Sequence, residues 1–491
     1  MNYSIIISIL GYVLKLEGIL MLIPCVTAAI YREKEGLYYL LAVALCLFVG
    51  FLFSIRKPRS NVFYLKEGCV ATASSWIIMS IFGCFPLWIS GEIPSFTDAM
   101  FETISGFTTT GATILNDVES LSHCALLWRS LTQWIGGMGV LVFLLAVLPL
   151  AGGSNINLMR AESPGPSVGK LVPKVRSSAR LLYVIYFGMT IAEIILLLIG
   201  KMPLFDAINT SFTTASTGGF GVKADSLTSY SPYIQWIVTI FMIAFGVNFN
   251  AYYLLFFGNV KKALKTEEVR YYFAFIIGGV AIIFFNILHL SENAFDALTK
   301  AAFQVGSVMT STGFATANFD LWPQLSKTVI LILMFIGACA GSTGGGIKVS
   351  RILILVKAVK NELYSYIHPK SIRKINMETK PLDTEIVHSA NIYFITFVLI
   401  FVISVFAISF DERDFVTNFS AVTATINNTG PGLSGVGPME NFSTFSPFSK
   451  YVLMFDMLAG RLELFPLLIL FHPQVWFNAF HRKKGRKGKK A

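Results

Sequence analysis

Four short polar breaks, each between two long apolar runs, end in nearly the same residues: T-T-T-G-A at Thr108 to Ala112, A-S-T-G-G at Ala215 to Gly219, T-S-T-G-F at Thr310 to Phe314, and N-N-T-G-P at Asn427 to Pro431. The Thr-Gly pair recurs at domain-scale intervals, and internal repetition of this kind outranks local secondary structure in deciding architecture. A single Thr-Gly pair is an ordinary turn signal. Four at matched positions are the layout of a fourfold pore in one polypeptide.

The surrounding chain is too apolar for water. Hydrophobic residues make up 54% and charged residues 14% of 491, with a mean hydropathy of +0.64, whereas soluble domains carry about a quarter charged residues. The chain therefore reads as a polytopic membrane protein. A helix crossing roughly 30 Å of hydrocarbon needs about 20 apolar residues. Ten such runs occur, near 5–30, 37–55, 68–89, 125–150, 181–200, 232–257, 271–290, 327–356, 386–409 and 449–472.

The net charge of +11 is distributed by side. Basic connections lie at Arg56–Lys66, Arg160–Arg180, Lys261–Arg270, Lys357–Lys380 and in the tail Arg482–Lys490. The intervening connections carry the acids, among them Asp98, Glu102, Asp206, Asp225, Asp296, Asp320, Asp411 and Asp414. The positive-inside rule then puts the basic connections and both termini in the cytoplasm and all four Thr-Gly breaks outside. Because the surplus marks topology, no nucleic-acid partner is expected. The six cysteines are scattered, without a C-x-x-C pair, and imply no metal or redox site. The first apolar run is long and contains Lys15 and Glu17, so it is expected to be retained and not cleaved.

From residue 68 onward one unit repeats: an apolar helix going out, a short amphipathic segment, a Thr-Gly loop and an apolar helix returning. The expected fold is an all-α polytopic membrane protein with an N-terminal transmembrane hairpin at 1–60 and pore repeats at 68–155, 175–262, 270–360 and 385–475. A basic cytoplasmic tail at 476–491 completes the chain. Asp98, Asp206, Asp296 and Asp414 are expected as N-caps of the amphipathic segments, since Asp suits both the cap and the positive end of the helix dipole. These segments are too short to span, so they read as half-helices dipping in from outside. Their irregular ends need protein or a wet cavity around them at membrane depth.

A dehydrated cation requires oxygens already arranged for it, and rings of backbone carbonyls supply them. Turning successive carbonyls inward favours glycine, which accounts for Gly111, Gly218, Gly313 and Gly430. Thr109, Thr110, Thr217, Thr312, Asn428 and Thr429 can add side-chain oxygens or brace the loops. The carbonyl ends of the half-helices would favour a cation between them. The run G-S-T-G-G-G-I-K at Gly341 to Lys348 fails as a phosphate loop, because Ile347 stands where lysine is needed and no strand precedes it.

The T-T-G-A-T, S-T-G-G-F, S-T-G-F-A and N-N-T-G-P-G-L loops, with G-A-C-A-G-S-T-G-G-G-I-K at Gly337 to Lys348, resemble the Trk/Ktr/HKT superfamily of potassium transporters. The extra N-terminal hairpin resembles the Trk branch, the TrkH/TrkG-like pore subunits. The resemblance covers essentially the whole chain. It implies potassium as transported ion with no organic cofactor, four pseudo-symmetric units around one pore, and a homodimer. It also implies a cytosolic TrkA-type nucleotide-binding ring and an inner-membrane location. Some members with sodium preference carry serine at the first glycine, so Gly111 argues for potassium.

Glycines cost a helix interior about 1 kcal/mol each relative to alanine, so Gly341, Gly344, Gly345 and Gly346 should break the third returning helix. Two readings fit: a close helix crossing through small residues, or, as the family implies, an intramembrane gate loop beneath the filter. Arg461 lies within the fourth returning span, where a charge faces a partner or a wet route. It either pairs with Glu463, Asp456 or another helix, or stands as a fixed positive charge that holds the gate, or both. Lys348, with Arg351, Lys357 and Lys360, continues from the gate and could dock a regulatory ring or anionic lipid. Proton- or sodium-coupled symport is the main alternative. A membrane-embedded enzyme is the distant one, because the histidines are dispersed toward loops and span ends.

Overall fold

Where nothing interrupts an apolar run, it forms a full-length helix. The computed structural model describes residues 1–55, 64–139, 175–257, 265–371, 373–377 and 380–475. Among them six helical stretches are long and apolar enough to cross a bilayer: Tyr3–Tyr31, Gly36–Ser54, Leu65–Ile89, Arg180–Ile199, Glu267–Leu290 and Thr384–Asp411. The first comprises α1 (Tyr3–Leu20) and α2 (Leu22–Tyr31), which form a hairpin with α3 (Gly36–Ser54). The other four outgoing helices are α4 (Leu65–Ile89), α7 (Val175–Ile199), α11 (Glu267–Ile287) and α15 (Thr384–Ile408).

Every outgoing helix is followed by a short one: α5 (Phe96–Phe107), α8 (Leu204–Ala215), α12 (Ala294–Met309) and α16 (Phe415–Ile426). Three of the four aspartates expected as caps are instead the third residue of these helices. The cap of α5 is Ser95 and that of α12 is Asn293, each accepting from the aspartate's backbone N–H, while Pro203 precedes α8. Only Asp414 is itself the cap, accepting from Thr417 N at 3.0 Å. A polar side chain three residues upstream, or a proline with preset φ, takes the cap position. The aspartates still lie in the first turn, where the helix dipole favours them.

The return runs at 125–150, 232–257 and 449–472, expected as unbroken spans, are interrupted, as is 327–356, where the glycines lead one to expect a break. The return helices α6 (His123–Met138), α9 (Pro232–Phe245), α13 (Gln324–Ile336) and α17 (Pro447–Arg461) stop short. After the break α10 (Phe249–Phe257), α14 (Val349–Ile367) and α18 (Phe465–Phe471) follow in the last three units. Gly139 and Gly337 turn the chain at φ 85° and 69°, Glu463 and Leu464 do so at 54° and 67°, and α9 and α10 meet at 95° across Gly246–Asn248. Residues 140–150 of the first return run and the tail 476–491 lie outside the described residues, as do most of the basic connections at 56–63, 140–174 and 258–264. Besides helix, the described residues contain one two-stranded pair, Asn376–Met377 with Lys380–Pro381.

The hairpin packs α1 against α3 and α4. As a result, the apolar stretch of α4 is 67% buried, against 22% for its counterpart in α11. Gly11 and Gly50 allow the close crossing: a Cβ on Gly50 would stand 2.9 Å from the Gly11 carbonyl oxygen. Forcing a large side chain into such a contact costs typically 1–3 kcal/mol. Gly50→Leu should therefore lower the thermal unfolding midpoint of detergent-purified protein, whereas Leu at the lipid-facing Phe51 should leave it unchanged.

Candidate functional site

The four short helices end in the same way. Thr110 N donates to Ser105 O at 2.9 Å, Gly218 N to Thr213 O at 2.8 Å, Thr312 N to Ser307 O at 2.7 Å and Thr429 N to Ala424 O at 2.8 Å. This is the long bond of a Schellman closure, which needs a left-handed residue just before the donor. Those residues are Thr109, Thr217, Ser311 and Asn428, at φ 56°, 54°, 59° and 54°. Glycine usually fills this place, and a β-branched threonine there is strained. The following turn residue is a glycine in each loop: Gly111, Gly219, Gly313 and Gly430, at φ 77°, 75°, 85° and 92°.

This register corrects one sequence alignment. Gly219, not Gly218, is the counterpart of Gly111, Gly313 and Gly430. Gly218 corresponds to Thr110, Thr312 and Thr429.

The loops close into a ring. A Cβ on Gly111 would lie 2.0 Å from Gly218 O, one on Gly219 1.9 Å from Thr312 O, one on Gly313 2.2 Å from Thr429 O, and one on Gly430 2.7 Å from Thr110 O. Each glycine thus lets the next loop's middle carbonyl approach where any side chain would block it. Of the residues expected to line or brace the loops, Thr110 and Thr312 bond the hydroxyls of Thr108 and Thr310 at 2.8 and 2.7 Å, and Asn428 Nδ2 donates to Thr110 Oγ1 at 2.9 Å, whereas the buried Thr429 hydroxyl has no hydrogen-bond partner among the described residues. On one side of the ring is a vestibule of about 170 Å³ whose lining includes Gly111, Gly219, Gly313 and Gly430. On the other is a cavity of about 110 Å³ lined by Gly344, Gly345, Lys348, Asn428 and Arg461 among others.

The glycine-rich break runs from Gly337 to Lys348 without helix and presses against the ends of the third and fourth short helices. Gly346 N donates to Asn427 O at 3.1 Å, Gly345 N donates to Ser311 Oγ, and a Cβ on Gly344 would lie 2.8 Å from Thr310 O. Gly341, at φ 73°, offers its carbonyl to Phe249 N at 3.0 Å, which ties the loop into the bend between α9 and α10. Lys348 Nζ donates to Gly344 O within the loop.

Arg461 clamps the loop to the first unit. Its Nη1 donates to Thr343 O at 2.9 Å, and its Nη2 donates to Gly137 O at 2.5 Å and to Gly136 O. Of the acids expected near it, Glu463 pairs with Arg351, and Asp456 accepts from Ser404 Oγ at 2.7 Å. Lys348 and Arg461 thus place two basic side chains on the inner cavity, and Glu463, paired with Arg351, places an acidic one there.

A family model described as TrkH, cation transport protein, matches residues 39–478. The chain belongs to the TrkH family. It is 36% identical over 487 residues to the Trk system potassium uptake protein TrkH of Salmonella typhimurium, covering 97% of this chain and 100% of that protein. To the Trk system potassium uptake protein TrkG of Escherichia coli it is 31% identical over 482 residues, covering 97% and 99%. The crystal structure of the potassium transporter TrkH from Vibrio parahaemolyticus matches with a TM-score of 0.87 at 32% identity, over 97% of this chain and 100% of that one. TrkH-family membership makes this multi-pass membrane protein a transport protein and not an enzyme.

Some residues that shape the site in this TrkH-family chain were not singled out from sequence. Arg129 and Glu102 pair at 2.7 Å with side chains 3% and 0% exposed. The same carboxylate accepts from Ile114 N at 3.1 Å, and the guanidinium lies 4.1 Å over the Phe220 ring. The pair thus fastens the first loop's exit to the second's. An arginine inside an apolar run was the available signal. Ser311 gave none, and Gly219 showed only as half of a glycine doublet, so the hydrogen-bond register is needed to place them.

The register makes a direct prediction. A methyl group at Gly219 would strike a backbone oxygen at unfavourable φ, whereas one at Gly218 would meet only the far end of the Gln133 side chain, at 2.5 Å. Gly219→Ala should lower the thermal midpoint of purified protein markedly and Gly218→Ala only slightly. The reverse order would refute the alignment.

Proposed function

We propose that this chain takes up potassium across the inner membrane through a filter made by the four loops, with both termini in the cytoplasm. The closed ring of loop contacts between an outer vestibule and an inner cavity supports this most strongly. The middle and glycine residues of the loops, including Thr110, Gly111, Gly218, Thr312, Gly313, Thr429 and Gly430, would supply the carbonyls that replace the ion's water. Thr109, Thr217 and Asn428 would hold those carbonyls through their left-handed turns. Inward flux follows the membrane potential, worth about 2.3 kcal/mol per charge per 100 mV.

Gly341, Gly344, Gly345 and Gly346 form the gate in this reading, latched by Lys348 and Arg461. The latch consists of hydrogen bonds to carbonyls, so it can be released without unfolding a helix. The helix α14, which starts at the end of the loop, is the natural lever for a cytosolic TrkA-type ring, and the assembly would be a homodimer. The names of the relatives support the potassium assignment, and the four matched units support the pore-repeat division of the chain.

A second reading, proton-coupled uptake, draws on carboxyl groups at membrane depth that sequence did not single out as a set: Glu17, Glu193 and Asp456 are 1%, 0% and 0% exposed. Reversal potentials in proteoliposomes at varied pH separate the two. A potential set by potassium alone supports the channel-like reading, and a proton-dependent shift supports coupling.

Rubidium flux into proteoliposomes tests the filter and the gate together. Gly111→Ser, which inserts a side chain 2.0 Å from Gly218 O, should reduce discrimination against sodium. Deletion of residues 341–346 or Arg461→Lys should raise flux several-fold with selectivity retained. Unchanged flux in both gate variants would refute the gate assignment.

A further inference from the structure

The ring is fourfold in backbone but not in chemistry, and the exception occurs at one seam. Three loops place threonine at the middle position, Thr110, Thr312 and Thr429, and the second places Gly218 there. A second difference accompanies it. The eleventh residue of each return helix is Gln133 in α6, Met242 in α9, Met334 in α13 and Met457 in α17, each 0% exposed. Three methionines go with three threonines, and one glutamine with one glycine.

The geometry explains the exchange. The Gln133 side chain occupies the volume a side chain at Gly218 would take: the missing Cβ would lie 2.5 Å from its Cδ, 2.6 Å from Oε1 and 2.8 Å from Nε2. Its amide uses both ends. Nε2 donates to Gly218 O at 2.7 Å, and Oε1 accepts from Phe220 N at 3.2 Å. One planar group therefore bridges the peptides on either side of Gly219. The bonded carbonyl is the same one that abuts Gly111 across the first seam.

A methionine cannot donate to the carbonyl, and its thioether is only a weak acceptor. A threonine stiffens its own backbone through its β-branch, whereas glycine leaves it free, so at Gly218 the stiffness has to come from outside the loop.

We infer that Gln133 is a specificity-determining positioning residue of the filter, holding the second loop's carbonyl in place of the absent threonine. This rests on the reading of the four loops as the filter. A carbonyl that already accepts one N–H offers a permeating ion only its remaining lone pair. The second loop is thus the weakest and most fixed of the four, and ions meet an uneven ring.

The test is an exchange, read as the rubidium-to-sodium permeability ratio from reversal potentials of purified full-length protein in proteoliposomes. Gln133→Leu keeps the bulk and removes both hydrogen bonds, and it should lower the ratio roughly fivefold, the worth of one neutral hydrogen bond. Gly218→Thr alone, colliding with Gln133, should impair flux and ratio. Gly218→Thr combined with Gln133→Met recreates the pairing of the other three seams and should restore the ratio to within about twofold of wild type.

If Gln133→Leu does not purify as a folded protein, the double variant still decides by its ratio. A wild-type ratio in Gln133→Leu, or a double variant no better than Gly218→Thr alone, would overturn the inference while leaving the filter reading intact. Absence of rubidium flux even in protein lacking residues 341–346 would overturn the filter reading, and this inference with it.

Discussion

A backbone group that leaves a helix inside a bilayer has to find its partner in the protein, because lipid offers none. That requirement organises the whole molecule. The four half-helices and the interrupted return helices all release carbonyls and amides, and several of these groups bond one another across the units. Cys339 N donates to Gly246 O at 3.1 Å, joining the third break to the second. Arg461 joins the third to the first, and Gly346 N joins the third to the end of the fourth half-helix. The glycine loop can exist at membrane depth because the other units complete it.

The outer side of the ring is held differently. There the fastening is by side chains: the buried Glu102–Arg129 pair, whose guanidinium also donates to Gly221 O at 3.4 Å and lies over the Phe220 ring. A buried ion pair adds little net stability, yet leaving one partner alone is costly, which suits it to fixing geometry. The inner side relies on bonds to main-chain oxygens around mobile-length side chains such as Lys348 and Arg461. Side-chain pairing thus holds the loops together on the vestibule side, and bonds to main-chain oxygens hold the glycine-rich break on the other.

What was legible in the sequence follows the same line. Apolar runs, charge alternation and the dense glycines at 341–346 are compositional and could be read directly. The breaks at Gly139, Gly246 and Leu462–Leu464 are not among the sequence expectations, although Gly136, Gly137 and Gly139 in the first and Gly460, Arg461 and Glu463 in the last are signals within the runs; packing against neighbouring breaks makes these interruptions favourable. The S-T-G-G doublet at Ser216 to Gly219 left two possible registers, and the bond from Gly218 N to Thr213 O selects one. Ser95 and Asn293 displaced the aspartates as caps because a cap is chosen by where the chain turns, which the neighbouring helices dictate. Gln133 looked like any helical glutamine until its loop partner was known to lack a side chain.

The seams of the ring lead to a last consequence. In a pore assembled from four copies of one short chain, every substitution is made four times, so the smallest available change is a large one. Here each seam has its own codons. A single exchange, such as glutamine for methionine beside one loop, alters a quarter of the ring while the other three hold the register. In a fused chain a substitution can therefore change one side of the ring at a time, and its four loops are free to differ.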